Sequence, residues 1–234
     1  MLAPQHRDRL CSAGVEPELV DAQTWEPVID GLPAWWHENG NVLYAAPGAW
    51  LPDQVVAGLG VFPIRDVLIV VGSPMEWLTS LHVGGDAATI FIGRACVLTA
   101  GEIYCGGGST IVLSGPLVAT RSAIVDARNG GSIVAGPDQL WAADVYLATD
   151  DMHRLEDLTT GERVNPFGAH IRLGPHVWLG RDVVVSGHAE IGEGCVVGLR
   201  SLVRGQKIPA HTVAAGTPAR TVRENVTWSH DDVP

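Results

Sequence analysis

The 234 residues are 46% hydrophobic and only 18% charged, which is enough apolar material for a substantial core, and 28 glycines point to a chain that turns often. A formal net charge of −11 leaves no basic stripe to offset phosphate repulsion, which argues against a nucleic-acid partner. No apolar run approaches the ~18 residues needed to span a bilayer.

Residues 1–66 show no fixed repeat. Glu16–Ala22 reads as a short helix, and Trp35, Trp36, Pro47 and Pro52 suggest a compact, loop-rich segment. Its apolar stretches are too sparse for an independent nucleotide-binding domain. The expected role is a cap, because an open solenoid end must be covered.

From about residue 67 a six-residue beat takes over. Leu173, Leu179, Val185, Ile191, Val197 and Val203 fall at steps of six, and Gly174, Gly180, Gly192 and Gly198 follow four of them. The positions two before each anchor are Ile171, Val177, Val183, Ala189, Cys195 and Ser201, all apolar or small. A helix would repeat every 3.6 residues and a half-buried strand every two. A beat of six means a short strand, a turn and a repeat, the pattern of a parallel β-helix.

Three such strands make a triangular coil of about 18 residues. Candidate anchors upstream are Val71 and Trp77, then Ile92, Leu98 and Tyr104, then Leu113, Ala119 and Val125, then Ala135, Trp141 and Leu147. The first anchors lie 21, 21, 22, 38 and 18 residues apart, so relative to one coil they carry extras of 3, 3, 4, 20 and 0. The short extras are Gly84-Gly85-Asp86, Gly106-Gly107-Gly108 and Asn129-Gly130-Gly131. Glycine and Asn tolerate positive φ and suit bulged turns. All the extras recur at one point of the coil, so they are expected to stack on one edge. The chain thus divides into a cap (1–66), a β-helix (67–207) and a tail (208–234). In the tail, Ile208–Gly216 reads as a final extended segment and Pro218–Asn225 as a short helix starting at a proline.

The four cysteines form no CxxC pair, and Cys96 and Cys195 occupy small inward positions, as core thiols do. With no signal-peptide pattern at the start, a reducing, cytoplasmic setting is expected. Arg200, Arg204, Lys207, Arg220 and Arg223 cluster near the C-terminal end of an otherwise acidic chain. They form either a solvated rim or a dock for a phosphorylated small molecule.

The 20-residue extra, within 149–170, is the only long departure from the coil and carries the chemistry. It holds Asp151-Met152-His153. A neutral histidine can take a proton from a hydroxyl, and a neighbouring carboxylate can fix its tautomer. A lone histidine in a polar loop is often only solvated; its place on the one loop ejected from a rigid prism favours a role.

Residues 69–226 resemble the hexapeptide-repeat, left-handed β-helix acyltransferases, and within them the sugar and capsular-polysaccharide O-acetyltransferases. The resemblance is carried by Thr149–Asn165 with its D-x-H and TGxRxN elements, by Ile171–Gly180 around Val177-Trp178-Leu179-Gly180, and by Val213–Arg220. It implies a left-handed winding, against the usual hand of β crossovers. It implies acetyl-CoA as co-substrate, no permanently bound cofactor, no metal, a sugar or polysaccharide acceptor and a homotrimer with the donor groove between prisms. It places the catalytic base at His153; the neighbouring Asp151 is expected to support it, and Arg163 and Asn165 of the same loop to contact the acceptor. Its donor contacts fall on Trp178, Gly198, Ser201, Ala215, Gly216 and Pro218, to which the basic cluster adds Arg200 and Lys207 as candidate phosphate contacts of the donor.

The chain departs from the pattern at Arg200, which replaces a small residue, at Ser186-Gly187-His188, which replaces a glycine-led turn, and at Thr217, where Asn is usual. Other readings of the same prism are a serine or amino-sugar N-acetyltransferase, a non-catalytic solenoid, and a γ-type carbonic anhydrase. The last would need three zinc-ligating histidines, for which His170, His176 and His188 are the candidates; a close H-x4-H pair is missing.

Overall fold

Successive coils of the chain stack through parallel backbone pairing, and this pairing builds the whole molecule. The computed structural model describes residues 2–231 and is a parallel β-helix with three faces. The first face has nine strands, from Glu26–Pro27 and Val42–Ala45 through Leu68–Val71, Thr89–Ile92, Thr110–Leu113, Ser132–Ala135, His170–Leu173 and Ala189–Ile191 to Lys207–Ile208. The second has seven, starting at Cys96–Leu98 and ending with Thr212–Gly216 and Ala219–Glu224. The third has six, from Leu78–Val83 to Leu202–Arg204. The chain visits first, second and third faces in turn.

Strand register confirms the beat of six. Val71, Ile92, Leu113, Ala135, Leu173, Ile191 and Ile208 are paired in one continuous row. Leu98, Ala119, Trp141, Leu179 and Val197 form the row of the second face. Every one of these side chains is buried, as are those two positions earlier in the last coils, such as Val177, Val183 and Cys195. Alternate residues of a strand point to opposite faces, so an anchor and the residue two before it share the interior. Trp141 is fully buried in register.

Two upstream anchors sit elsewhere. Ile103, not Tyr104, pairs with Val125 and points inward; Tyr104 pairs with Asp126 on the outer surface. A slip of one residue moves a side chain to the other side of a sheet, and the large ring goes where there is room. Trp77 lies in a turn, 58% exposed, because the first coil has no full second-face strand and only a single bridge from Trp50 to Pro74 stands there.

The three edges are columns of turn residues with positive φ. Ala95, Gly115, Asp138, His176, Gly194 and His211 mark the edge between first and second faces. Ala100, Ser122, Asp144, Asp182 and Arg200 mark the edge between second and third. The short extras occupy the remaining edge, as their spacing requires. There Gly108 donates to the Asp86 carbonyl at 2.8 Å, and Gly130 donates to the Ser109 hydroxyl at 3.1 Å. A Cβ at Gly85 would fall 2.9 Å from the Gly107 Cα, so the stack needs glycine at that point.

The segment 1–66 does more than cover an end. Trp36, Leu51, Val55 and Leu59 join the interior core and plug the prism. Val42–Ala45 adds a parallel strand to the first face ahead of Leu68–Val71. The helices Pro4–Ser12 and Pro17–Asp21 supply Leu10 and Val20 to a second core on the outer side of that face, against Phe91 and Val112. The tail differs from its expected form. Instead of a helix over Pro218–Asn225, Ala219–Glu224 is a strand, folded back antiparallel on Thr212–Gly216. Val222, Arg223 and Glu224 do not oppose a helical apolar stripe to anything; the unpaired edge of Thr212–Gly216 offers backbone partners that the propensity reading did not weigh.

Candidate active site

The long loop leaves the prism between Tyr146–Ala148 on the third face and His170–Leu173 on the first, at the edge where the glycine turns stack. Asp150, 8% exposed, fixes its base. The carboxylate accepts from Gly168 N–H (3.1 Å), Thr149 hydroxyl (3.2 Å) and Asn129 amide (3.4 Å), joining both ends of the loop to the preceding turn.

A second tie positions His153. Asn165 is buried and bridges the loop: its amide donates to the His153 carbonyl at 2.8 Å and to Asp151 at 3.2 Å, and its side-chain oxygen accepts from Leu155 N–H at 2.9 Å. Arg163 donates to the Asn165 and Pro166 carbonyls at 3.1 and 3.0 Å and lies over the Phe167 ring. Asn165 and Arg163 therefore hold the loop's shape, in addition to any contact with an acceptor.

Asp151 is placed differently from its expected role. Its carboxylate meets Arg204 at 2.9 Å and Asn165, not the His153 ring. Bonding to Arg204 first, then to Asn165, outweighs burial and holds its pKa below the usual carboxylate range. Among the described residues no hydrogen bond reaches the His153 imidazole, which is exposed and open to an incoming hydroxyl. Asp151 is joined to His153 through the Asn165 amide and the loop backbone.

The expected donor residues gather mainly at the edge between second and third faces. Ser201 is buried, and its hydroxyl accepts from Gly216 N–H at 3.0 Å; the Thr217 hydroxyl donates to the Arg200 carbonyl at 3.3 Å. A Cβ at Gly198 would lie 3.0 Å from that of Ala215, so these two stretches are in close approach. Pro218 stands in the hairpin turn beside Gly216. Arg200 is exposed, its guanidinium 3.3 Å from Asp182, and turns outward from the close-packed backbone. Trp178 lies on the outer side of the second face between Leu140 and Val196. Lys207 is apart from this group, on the first face and paired with Glu190 at 2.9 Å.

A cluster that the sequence does not reveal sits beside Trp178. The tail brings Trp228 to stack flat on His176, with ring centroids 4.1 Å apart. Trp228 Nε1 donates to the His176 carbonyl, and His176 Nε2 donates to the Trp228 carbonyl, both at 2.9 Å. His176 Nδ1 lies 2.6 Å from Asp138, and His230 Nε2 lies 2.8 Å from the other oxygen of the same carboxylate. Donor atoms of the three are within 4.8 Å of one another. Ligands around a tetrahedral zinc with bonds of 2.0–2.1 Å would stand about 3.3 Å apart; the shorter separations are those of proton-bridged pairs. Both His176 partners are acceptors, so the site is satisfied by the imidazolium.

His170 and His188 lie elsewhere: His170 starts the first-face strand His170–Leu173, and His188 is in the turn just before Ala189–Ile191. His188 Nδ1 accepts from His170 N–H at 3.2 Å and Ser132 is 2.9 Å from His170 Nδ1. Within one chain these two histidines and His176 do not converge. Cys96 and Cys105 are buried, and burial pushes both thiols up to about 12. Neither is suited to act as a nucleophile.

Comparison with known proteins fits this arrangement. The putative lipopolysaccharide biosynthesis O-acetyltransferase WbbJ of Escherichia coli is 36% identical over 101 residues, 40% of this chain and 50% of that protein. The polysialic acid O-acetyltransferase of Neisseria meningitidis is 28% identical over 171 residues, 64% of this chain and 79% of that protein. The crystal structure of the polySia-specific acetyltransferase NeuO superposes with a TM-score of 0.66 at 24% identity, covering 73% of this chain and 78% of that one, a likeness of fold. The chain is a left-handed, hexapeptide-repeat β-helix related to O-acetyltransferases. It spans 31%, 50% and 42% of the length of the first curated relatives that it matches. No family model matches it. No helix among the described residues is long and apolar enough to cross a membrane.

Two outcomes follow from this geometry. Asn165→Ala removes the bridge to His153 and Asp151 and is expected to raise hydrogen exchange across 151–165 while leaving the prism strands protected; equal protection in both proteins would remove Asn165 from this role. The tail cluster is expected to respond to pH. Burial lowers the His176 pKa, but its bonds to Asp138 and the Trp228 carbonyl, with the charges of Asp138 and Glu193, outweigh burial and raise it above 6.5. Burial raises Asp138, and bonds to His230 and His176 reverse this and lower it below 3.8. The His176 contribution is complete below 6.5 and lost as pH rises through its raised value; that of Asp138 is complete above 3.8 and lost as pH falls through its depressed value. Protection of residues 226–231 should therefore peak between those limits and fall above neutrality; a flat profile from pH 6 to 9, or one unchanged by His176→Gln, contradicts it.

Proposed function

We propose that this protein transfers an acetyl group from acetyl-CoA to a hydroxyl of a sugar or surface polysaccharide, with His153 as general base. The observation that carries this reading is the single loop ejected from the prism, which holds His153 by its backbone and leaves its imidazole open. The relatedness to sugar and polysaccharide O-acetyltransferases points to the same reaction.

In this reading the neutral imidazole takes the proton of the acceptor hydroxyl as its oxygen attacks the thioester carbonyl. A backbone N–H at a coil turn stabilises the developing oxyanion. The tetrahedral intermediate then collapses, the C–S bond breaks, and the imidazolium returns the proton to the departing thiolate. The acceptor gains an ester and coenzyme A leaves as a thiol. No protein nucleophile is needed. The donor lies along Trp178, Gly198, Ser201, Ala215, Gly216 and Pro218, with small residues letting it approach the backbone closely. Arg200 stands at the rim of this path, where its charge suits a phosphate, and Lys207 stands further off. The active assembly is a trimer, since a single prism leaves the donor path open on one side. The reaction takes place in the cytoplasm, where acetyl-CoA is made.

His153→Ala is expected to lower acetyl transfer by about 10²–10⁴-fold while acetyl-CoA binding survives. Activity within about threefold of the parent would remove His153 from the mechanism. Sedimentation at micromolar concentration should show a trimer; a stable monomer that retains full activity contradicts the shared donor path.

A further inference from the structure

The outer side of the third face carries two aligned rows that cross several coils. One runs His82, Tyr104, Asp126, Ala148, Ser186 and Arg204; the other runs Ser80, Glu102, Ile124, Tyr146, Val184 and Leu202. Neighbouring strands are about 4.8 Å apart, so Tyr146 and His82, three strands from one another, span roughly 14 Å. Two clefts lie on this surface. One of about 400 Å³ runs from Met152 and Tyr146 to Glu102, Tyr104 and His82. The other, of about 440 Å³, continues from His82 and Tyr104 to Leu59 and Phe62 of the N-terminal segment. His82 and Tyr104 line both, so the clefts form one groove.

The groove starts at the active loop. Met152 forms its wall, and the preceding Asp151 is tied to Arg204 of the same face, so the backbone at His153 departs from the groove's end. It finishes at the cap, where the Phe62 ring is 69% exposed. Its walls are rigid between those ends. Arg128 holds Asp126 through two bonds of 2.7 and 2.9 Å and lies 4.0 Å above the Tyr104 ring. A Cβ at Gly84 would run into the Tyr104 hydroxyl, so glycine there makes room for the ring.

We infer that this groove binds the acceptor as an extended, uncharged oligosaccharide chain, whose reacting end reaches His153 and whose distal sugars rest on Tyr104 and Phe62. The exposed Phe62 ring, and the part of the half-buried Tyr104 ring that Arg128 leaves free, match the apolar C–H faces of sugar rings, and the intervening Ser80, Glu102 and tyrosine hydroxyls offer hydrogen bonds to their hydroxyl groups. The charge balance selects against an acidic chain. Among the described residues that line the active-loop cleft, Glu102 and Asp126 stand against Arg128 and the imidazole of His82, and Asp126 already holds Arg128. At the loop end Arg204 is likewise held by Asp151. A sugar carboxylate would enter this groove with no unpaired arginine or lysine in its lining and beside Glu102, at a cost in affinity. The inference rests on the acyl-transfer reading for the reaction at His153 but makes a separate claim about binding.

The test is a glycan array probed with the full-length protein, carrying neutral and sialylated oligosaccharides of matched length, followed by titration in solution of those that bind. Neutral chains should bind more tightly than acidic ones by about tenfold or more. Phe62 and Glu102 are both exposed, so their variants fold. Phe62→Ala should weaken longer chains by about fivefold and leave disaccharides unaffected. Glu102→Lys should move the preference toward acidic chains. The proposal is overturned if acidic chains bind the parent as well as neutral ones, if no glycan binds, or if neither variant changes affinity. His153-dependent hydrolysis of acetyl-CoA, measured alongside, separates the two readings: hydrolysis without glycan binding retains the acyl transfer and removes the groove, and glycan binding without hydrolysis does the reverse.

Discussion

The lateral hydrogen bonds between coils are the constraint on which the rest of this structure depends. Each coil must lie in register on the one before it, so a side chain pointing inward in one coil meets its equivalent in the next. The interior accepts only apolar or small groups, and the rows Val71 to Ile208 and Leu98 to Val197 obey this throughout. Corners must turn by about the same angle each time, and so positive φ recurs in columns. Any departure has to leave at a corner, since an insertion within a strand would shift the register of every later anchor. The active loop is therefore confined to an edge before any chemistry is considered.

That confinement explains why a few polar ties suffice to order an otherwise exposed loop. Asp150 is buried at the base, where the backbone N–H groups of Gly168 and Ala169 converge on it. A carboxylate buried among donors is strongly directional. Further out, Asn165 carries the connection between strands of the loop, and the Arg204–Asp151 pair links it to the third face. This outer pair is partly exposed, with side chains 44% and 37% accessible, so solvent screens it and geometry is its main contribution.

The repeat was legible in the sequence because interior positions leave a direct mark on residue type. The anchors from Leu173 to Val203, the stacked glycine turns and the edge that ejects the long loop all follow from spacing. Tyr104 and Trp77 were misplaced where the repeat is imperfect: a single residue decides between inside and outside, and a coil lacking one strand gives no anchor to count from. The tail strand Ala219–Glu224 was read as a helix because its partner, the open edge of Thr212–Gly216, is a tertiary feature. Chain proximity and the D-x-H element point Asp151 toward the His153 ring. Its partner in this structure, Arg204, is 53 positions away in sequence and two strands along the third face from Tyr146–Ala148, and no local pattern announces it. Asp138, His176 and His230 are equally scattered, and only the returning tail unites them.

The two segments outside the repeat sit at opposite sides of the same surface problem. A regular prism has faces that look alike from coil to coil, so recognition requires something that breaks the symmetry. At the start of the prism the N-terminal segment does so, ending the third-face groove with Leu59 and Phe62. Near its other end the tail does so, laying Trp228 between His176 and Trp178 on the second face. The first adds an apolar wall fixed by the interior core. The second is held by one aromatic stack, two hydrogen bonds between Trp228 and His176 and a shared carboxylate, and the carboxylate contacts depend on protonation. The proposed acceptor groove is thus built on the more rigid attachment, and the surface beside Trp178 on the one more easily released. Under the acyl-transfer proposal this asymmetry has a use, since an extended acceptor has to be held in register while a small donor is exchanged at each turnover.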